Sequence, residues 1–369
     1  MKLCVPDTGD DELKEIAEVL KSGTLTQGPK VAEFERMVAE HVGSRHAFAM
    51  SSCTAALHLA LVALDIGPGD EVLVADFTFP ATANVVVQQG AVPVLVDIEL
   101  RTLTVDLDDL RARLTDKTKA IIPVHAFGCS ADLDPILELA DERGIPVIED
   151  AATAIGATYR GRSCGSIGRL GCFSFHPRKV ITTGEGGMIV TNDDALAERV
   201  RVLRSHGGVP DGDTCWYRYE SAGFNYRLSD VLGAIGVAQM RKLPQIIERR
   251  RGAAAALKER LGDVAGIILP SDPPWGGHIY QSFVVLLDER LDRDRLVGDL
   301  RERGVEATLG TYAVHAQPFY GRQYGYVPGQ LPGSYAAFRR TVTLPLYPQM
   351  TEADADAVAA GVRAAIAAQ

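Results

Sequence analysis

Short apolar runs alternate with amphipathic stretches through the first two thirds of the chain. The runs "HAFAM" (ending at Met50), "EVLVAD" (Glu71–Asp76), "VPVLVDI" (Val92–Ile98), "KAIIPVHA" (Lys119–Ala126), "IPVIED" (Ile145–Asp150), "CFSF" (Cys172–Phe175) and "GMIVTN" (Gly187–Asn192) predict buried strands. Between most of them lie helical patterns, such as "LDPILELADER" (Leu133–Arg143), and another helix is predicted near Asp10–Ser22. Strands alternating with helices predict an α/β fold with a mostly parallel sheet flanked by helices, seven-stranded if every run contributes one strand.

The pattern changes after residue 230. Ser229–Gly262 reads as one long helical region, which Pro244 is expected to kink or divide. "HIYQSFVVLL" (His278–Leu287), a helix near Asp292–Gly304, an irregular Pro/Gly/Tyr stretch and a terminal helix "EADADAVAAGVRAAIAA" follow. The expectation is a large domain over 1–250 and a smaller C-terminal α+β domain over 251–369.

Composition narrows the function. The chain has 369 residues, enough for a sizeable core and more than one domain of ~150 residues. Lys and Arg number 38 against 48 Asp and Glu, a net charge of −10. That argues against a general nucleic-acid binder, which needs a basic surface, and leaves room for a local basic pocket. Six cysteines (Cys4, Cys53, Cys129, Cys164, Cys172 and Cys215) form no CxxC pair and no zinc-spaced cluster, so reduced thiols and no metal are expected. The N-terminal stretch is too acidic for a signal peptide, and "TAALHLALVAL" (Thr54–Leu64) is too short to span a bilayer. A cytoplasmic protein without a membrane partner is expected.

Ligands of open α/β sheets sit beyond the C-terminal ends of strands, so those positions are where chemistry is sought. After the first strand, "SSCTAALHLAL" places Thr54 and Ala55 at a helix start, either as a simple cap or as an anion site with free backbone N–H groups. Phe79, in "FTFPATANVV", is either core or a stacking surface for a flat ring. Glu149–Asp150 closes an apolar strand, where a carboxylate either caps a turn or faces a protonated ring nitrogen. In "SFHPRKVITTGEGG" (Ser174–Gly187), Lys179 is either a surface lysine or a Schiff-base former, which must lose its proton, helped by shelter or by a cation such as Arg178. Phosphate cradle, stacking aromatic, acid and amine are together what pyridoxal phosphate requires.

These blocks, with "SGTLTQGPKVAEFE" (Ser22–Glu35), "IIPVHAFGCSADLDPI" (Ile121–Ile136), "VIEDAATAIGATYRG" (Val147–Gly161), "GFNYRLSDVLGAIGVAQM" (Gly223–Met240) and "LPLYP" (Leu344–Pro348), resemble the DegT/DnrJ/StrS sugar aminotransferases of pyridoxal-phosphate fold type I over nearly the whole chain. The resemblance implies that Lys179 is the Schiff-base lysine, Asp150 the partner of the pyridine nitrogen and Phe79 the stacking aromatic. Thr54, Ala55 and Ser174 match phosphate ligands, and Asn225 and Arg227 match groups that reach the phosphate across a homodimer interface, so that active sites are shared. Thr153 stands in the cofactor pocket where the family often has Gln or His, Ile155 where it often has His, and Cys53 where Gly is common. Tyr312 and His315, in "TYAVHAQPFY", lie in a region that in the family borders the substrate cleft; loop packing is the alternative. The activity implied is transfer of an amino group, with L-glutamate as donor, to the keto group of a nucleotide-linked deoxysugar. An aminocyclitol-type cyclic ketone is an alternative acceptor. Relatives that act as dehydratases carry His in place of the lysine, and Lys179 disfavours that branch.

Overall fold

The computed structural model describes residues 1–212 and 216–369; Cys215 lies outside the described residues. Helix α1 (Asp10–Ser22) carries Asp10, Asp11 and Glu12 in its first turn and Lys21 in its last, as the helix dipole favours, and stops at Gly23 with φ 74°. Helix α2 (Pro29–Val42) opens on Pro29, whose missing N–H costs nothing there. Strand β1 (His46–Met50) leads into helix α3 (Cys53–Ala63), capped by the Ser52 hydroxyl, which accepts from the Ala55 N–H at 3.0 Å. Strands β2 (Glu71–Ala75), β3 (Val92–Val96), β4 (Thr118–Ile122), β5 (Ile148–Asp150), β6 (Leu170–Ser174) and β7 (Gly187–Thr191) follow.

Hydrogen bonding orders these strands as β1-β7-β6-β5 and β3-β2-β4. Parallel bridges Ile121–Val147 and Val124–Asp150 bring β4 alongside β5 and join the two ladders. β7 runs antiparallel to both β1 and β6. The pairs β5/β6, β2/β3 and β2/β4 are parallel. β7 alone is therefore reversed, and the other strands end on one common edge.

Alternate side chains fill two cores, as the two-residue period of a strand requires. Val72 and Val74 of β2 pack on one face with Leu57 and Leu61 of α3. Leu73 and Ala75 pack on the other with Phe34 and Val38 of α2. Helix α4 (Asp230–Leu261) runs without a break through Pro244, contrary to the expected division. Pro244 is exposed, while Val237, Met240 and Leu243 before it and Ile246 and Ile247 after it enter the same core. Packing on both sides outweighs the ~3 kcal/mol that an interior proline costs.

Beyond Pro244, α4 enters a second body. Its Ala254, Leu257 and Leu261 pack with strand β9 (Phe283–Leu287), helix α5 (Arg293–Glu302) and helix α6 (Glu352–Ala367). The sheet here is antiparallel, in the order β8 (Ile267–Ile268), β9, β11 (Thr341–Leu344), β10 (Thr308–Leu309). The chain does not sort strictly by sequence position: Val314, Tyr320 and Leu331 pack into the large body's core. The Leu346 N–H donates to the Leu3 carbonyl, which sets Leu3 and Cys4 into the wall between the bodies. Among the described residues, no helix is long and apolar enough to cross a membrane.

Candidate active site

The common strand edge and the C-terminal body enclose a cleft of about 670 Å³, within the range of small-molecule sites. The loop from β6 to β7 is a hairpin pinned by its own threonines. Phe175 N–H donates to the Gly186 carbonyl (2.9 Å), and both Thr183 N–H and the Thr182 hydroxyl donate to the Phe175 carbonyl (2.9 Å each). The Thr182 hydroxyl also accepts from Gly184 N–H at 2.9 Å, and Gly184 has φ +86°, a region glycine enters without penalty. A Cβ on Gly187 would stand 2.4 Å from the Ser52 carbonyl carbon. Glycine there lets β7 pass against the start of α3, which brings the lysine loop and the helix N-terminus to one place.

Lys179 is half-buried on the cleft wall. Burial lowers its ammonium below the ordinary value; Cys53 and Asp150 oppose the shift, and Arg178 adds to it. The Cys53 thiol is pushed well up by burial and then by Asp150, so it stays protonated beside the amine. Thr54 and Ser174 line the same cleft, and among the described residues neither hydroxyl has a hydrogen-bond partner. The Ala55 N–H is taken by Ser52, whereas the first N–H groups of α3 have no acceptor within the helix. The cap and the anion site, alternatives in the sequence, are thus both built: Ser52 caps, and the hydroxyl and N–H groups around Thr54 stay open.

The two carboxylates at the end of β5 separate completely. Glu149 is fully buried and accepts from His125 Nε2 (2.8 Å), Gly165 N–H (2.6 Å), Ile167 N–H (2.7 Å) and Gly168 N–H (2.6 Å). Burial raises its pKa, but the bonds from His125, Gly168 and Gly165 more than offset this and hold it below the usual carboxylate value. Asp150 turns to the cleft, where it accepts from the Thr82 hydroxyl at 2.7 Å and the Ala152 N–H at 3.1 Å. Thr82 in turn contacts the Thr78 hydroxyl at 3.1 Å. Thr78 and Thr82 lie inside the "FTFPATANVV" stretch and were missed, because a threonine in an apolar run carries no signal of its partner.

Phe79 is 65 % exposed, a large apolar face left open in the cleft. The ring of Tyr312 lies 6.5 Å away at 62°, and the backbone of Tyr312–Ala313 pairs with Phe77–Thr78. Thr153 lines the cleft and donates to the His125 carbonyl at 2.6 Å. Five expected residues are not among those lining the cleft: Ala55 and Tyr312, which adjoin the lining residues Thr54 and Thr311, and His315, Asn225 and Arg227. His315 does not line the cleft: it is buried, its Nδ1 2.6 Å from Asp76, whose carboxylate also accepts from the Ser334 hydroxyl and the His315 N–H. That network satisfies a buried charge and fixes the loop behind Tyr312. Asn225 is exposed, and Arg227 donates to the Ser205 hydroxyl at 3.1 Å; both lie outside the cleft.

The donor set fits pyridoxal phosphate. An open hydroxyl-lined helix start suits the phosphate, an exposed aromatic suits the ring, a buried hydrogen-bonded carboxylate suits a protonated ring nitrogen, and a sheltered amine suits the aldehyde.

Comparison with known proteins agrees. A model of the DegT/DnrJ/EryC1/StrS aminotransferase family matches residues 6–363. The chain is 39% identical to the spore coat polysaccharide biosynthesis protein SpsC of Bacillus subtilis, over 97% of this chain and 95% of that one. It is 41% identical to the GDP-perosamine synthase of Caulobacter vibrioides, over 91% and 90%. Its structure superposes with a TM-score of 0.94 on the PLP-form of a sugar aminotransferase, Spr1654, from Streptococcus pneumoniae, at 26% identity and covering 99% and 98% of the two chains.

Proposed function

Because the chain belongs to the DegT/DnrJ/EryC1/StrS aminotransferase family, whose members depend on pyridoxal phosphate, we propose that it moves the amino group of L-glutamate to the keto group of a nucleotide-linked deoxysugar. The observation that carries this reading is the convergence of Lys179, Asp150 and the α3 N-terminus on one strand edge. The names of the similar proteins, a GDP-perosamine synthase and a polysaccharide biosynthesis protein, support a sugar acceptor.

When bound, pyridoxal phosphate supplies an electron-withdrawing ring that makes a proton on the carbon bearing the substrate nitrogen acidic. The residues do the rest. Lys179 holds the cofactor at rest, then takes the proton at that carbon and returns it during transfer. Its lowered pKa suits it to both tasks. Asp150, oriented by Thr82, keeps the ring nitrogen protonated by its charge. Thr54, Ser174 and the backbone around Ala55 would hold the phosphate, and Phe79 and Thr153 would adjoin the ring. Asn225 and Arg227 complete the cleft of a second copy, so the working unit is a homodimer. Tyr312, packed against Phe79, is assigned to the substrate side of the ring. The division into a large and a small body falls near residue 250, inside α4.

The test is an absorption spectrum of the wild type and of Lys179→Ala, each supplied with pyridoxal phosphate, before and after L-glutamate. The wild type is expected to show a visible cofactor band that glutamate moves to shorter wavelength, and the variant no such response. A wild type that binds no cofactor, or gives the same response without Lys179, sinks the reading.

A further inference from the structure

Both substrates of the reaction proposed above are anions, while the chain as a whole carries a net charge of −10. Free diffusion of such substrates into an acidic protein needs a local cation. Among the described residues lining the cleft, Arg178 is the only permanent positive charge, since Lys179 is the amine that must shed its proton. His176 also lines the wall, but burial lowers its pKa; Glu185 opposes that shift, and Lys179 and Arg178 add to it, so the ring is neutral near pH 7.

Arg178 is built to offer its side chain. Its main chain is held at both ends: its N–H donates to His176 Nδ1 at 3.2 Å, and its carbonyl accepts from Gln281 Nε2 at 2.7 Å. Its guanidinium is exposed and forms no ion pair among the described residues, not even with Glu185 on the same wall. A fixed backbone with an uncommitted guanidinium suits bidentate capture of a carboxylate or phosphate, whose planar or tetrahedral oxygens match the fork.

We propose that Arg178 is the cleft's own anion-recognising residue, binding an oxyanion of the substrate next to Lys179. The inference rests on the aminotransferase reading for the identity of the substrates, and on charge and geometry alone for the site. The oxyanion belongs either to the carboxylate of the amino donor or to the diphosphate of the acceptor.

The experiment is calorimetric titration of cofactor-loaded wild type, Arg178→Gln and Arg178→Lys with two unreactive probes. Glutarate is a dicarboxylate with no amine; UDP is a diphosphate with no sugar. Arg178→Gln is expected to weaken one of them by about 10-fold or more, and Arg178→Lys by less, because an ammonium keeps the charge and loses the fork. The probe that weakens names the source of the anion. The variants should still take up cofactor and show a visible cofactor band. The proposal is overturned if Arg178→Gln binds both probes as the wild type does, if the wild type binds neither, or if the variant fails to take up cofactor. Failure of the wild type to respond spectrally to L-glutamate, with glutarate or UDP binding still dependent on Arg178, would reject the donor and leave the anion site standing.

Discussion

Glu149 and Asp150 are neighbours in sequence and opposites in environment, because successive side chains of a strand face opposite sides. Glu149 is enclosed by three backbone N–H groups and His125, whose Nδ1 accepts from the Ala131 N–H at 3.1 Å, so that Nε2 carries the proton donated to the carboxylate. Glu149→Gln places an amide N–H against donors on one side. It should cost about 2–4 kcal/mol, read as a lowered denaturant midpoint. The folded pKa of Glu149 is depressed, so its stabilisation is complete above the unfolded value of 4.5 and is lost as pH falls through the folded value. The wild type should therefore lose stability below about pH 4.5, and the glutamine variant should lose less over the same interval; equal slopes would refute this account. A carboxylate at a strand end was legible in the sequence. Which of the two acids faces the cleft was legible only through the family resemblance, which pointed to Asp150; the strand pattern alone left it open, because it depends on where the loops carrying His125 and Gly165–Gly168 come to rest.

At the scale of elements, the apolar runs coincide with strands, the helical pattern placed α1 and the small hydroxyl residues after β1 marked the start of α3, since these signals are local. The continuity of α4 through Pro244 was hidden, because it depends on a core assembled from distant segments. Gly187 answers to the close passage of β7 beside Ser52 and Cys53. Gly187→Ala would force the two apart, since a Cβ would lie 2.5 Å from the Cys53 nitrogen as well. A shift there moves the phosphate end of the cleft relative to Lys179. Pyridoxal-phosphate affinity, followed by fluorescence titration, should fall by roughly 10-fold, with about 1–3 kcal/mol of stability lost. Unchanged affinity would mean that the helix start tolerates displacement.

For the whole molecule, Asn225 and Arg227 lie outside the cleft of their own chain, which gives the shared-site proposal a direct test. Lys179→Ala and Asn225→Ala proteins, each weak alone, should regain about one quarter of wild-type activity when unfolded together and refolded as a mixture, because half the dimers are mixed and each contains one intact site. No recovery would place Asn225 in a structural role. The placement of His315 was likewise beyond the sequence, which showed a polar residue in an irregular stretch and nothing of Asp76 waiting beneath it. The reversal of β7 has a consequence for the order in which the site comes together. The lysine arm is a hairpin between adjacent antiparallel strands, so its closure joins residues close along the chain. Thr54 and Asp150 reach the same edge only through long crossovers, and such contacts are slow to form because a larger loop must be closed first. The amine is thus expected to be in position early on the folding route, with the acid and the phosphate seat arriving later. Cofactor capture then becomes a late event that reports on completion of the sheet rather than a seed around which the sheet grows.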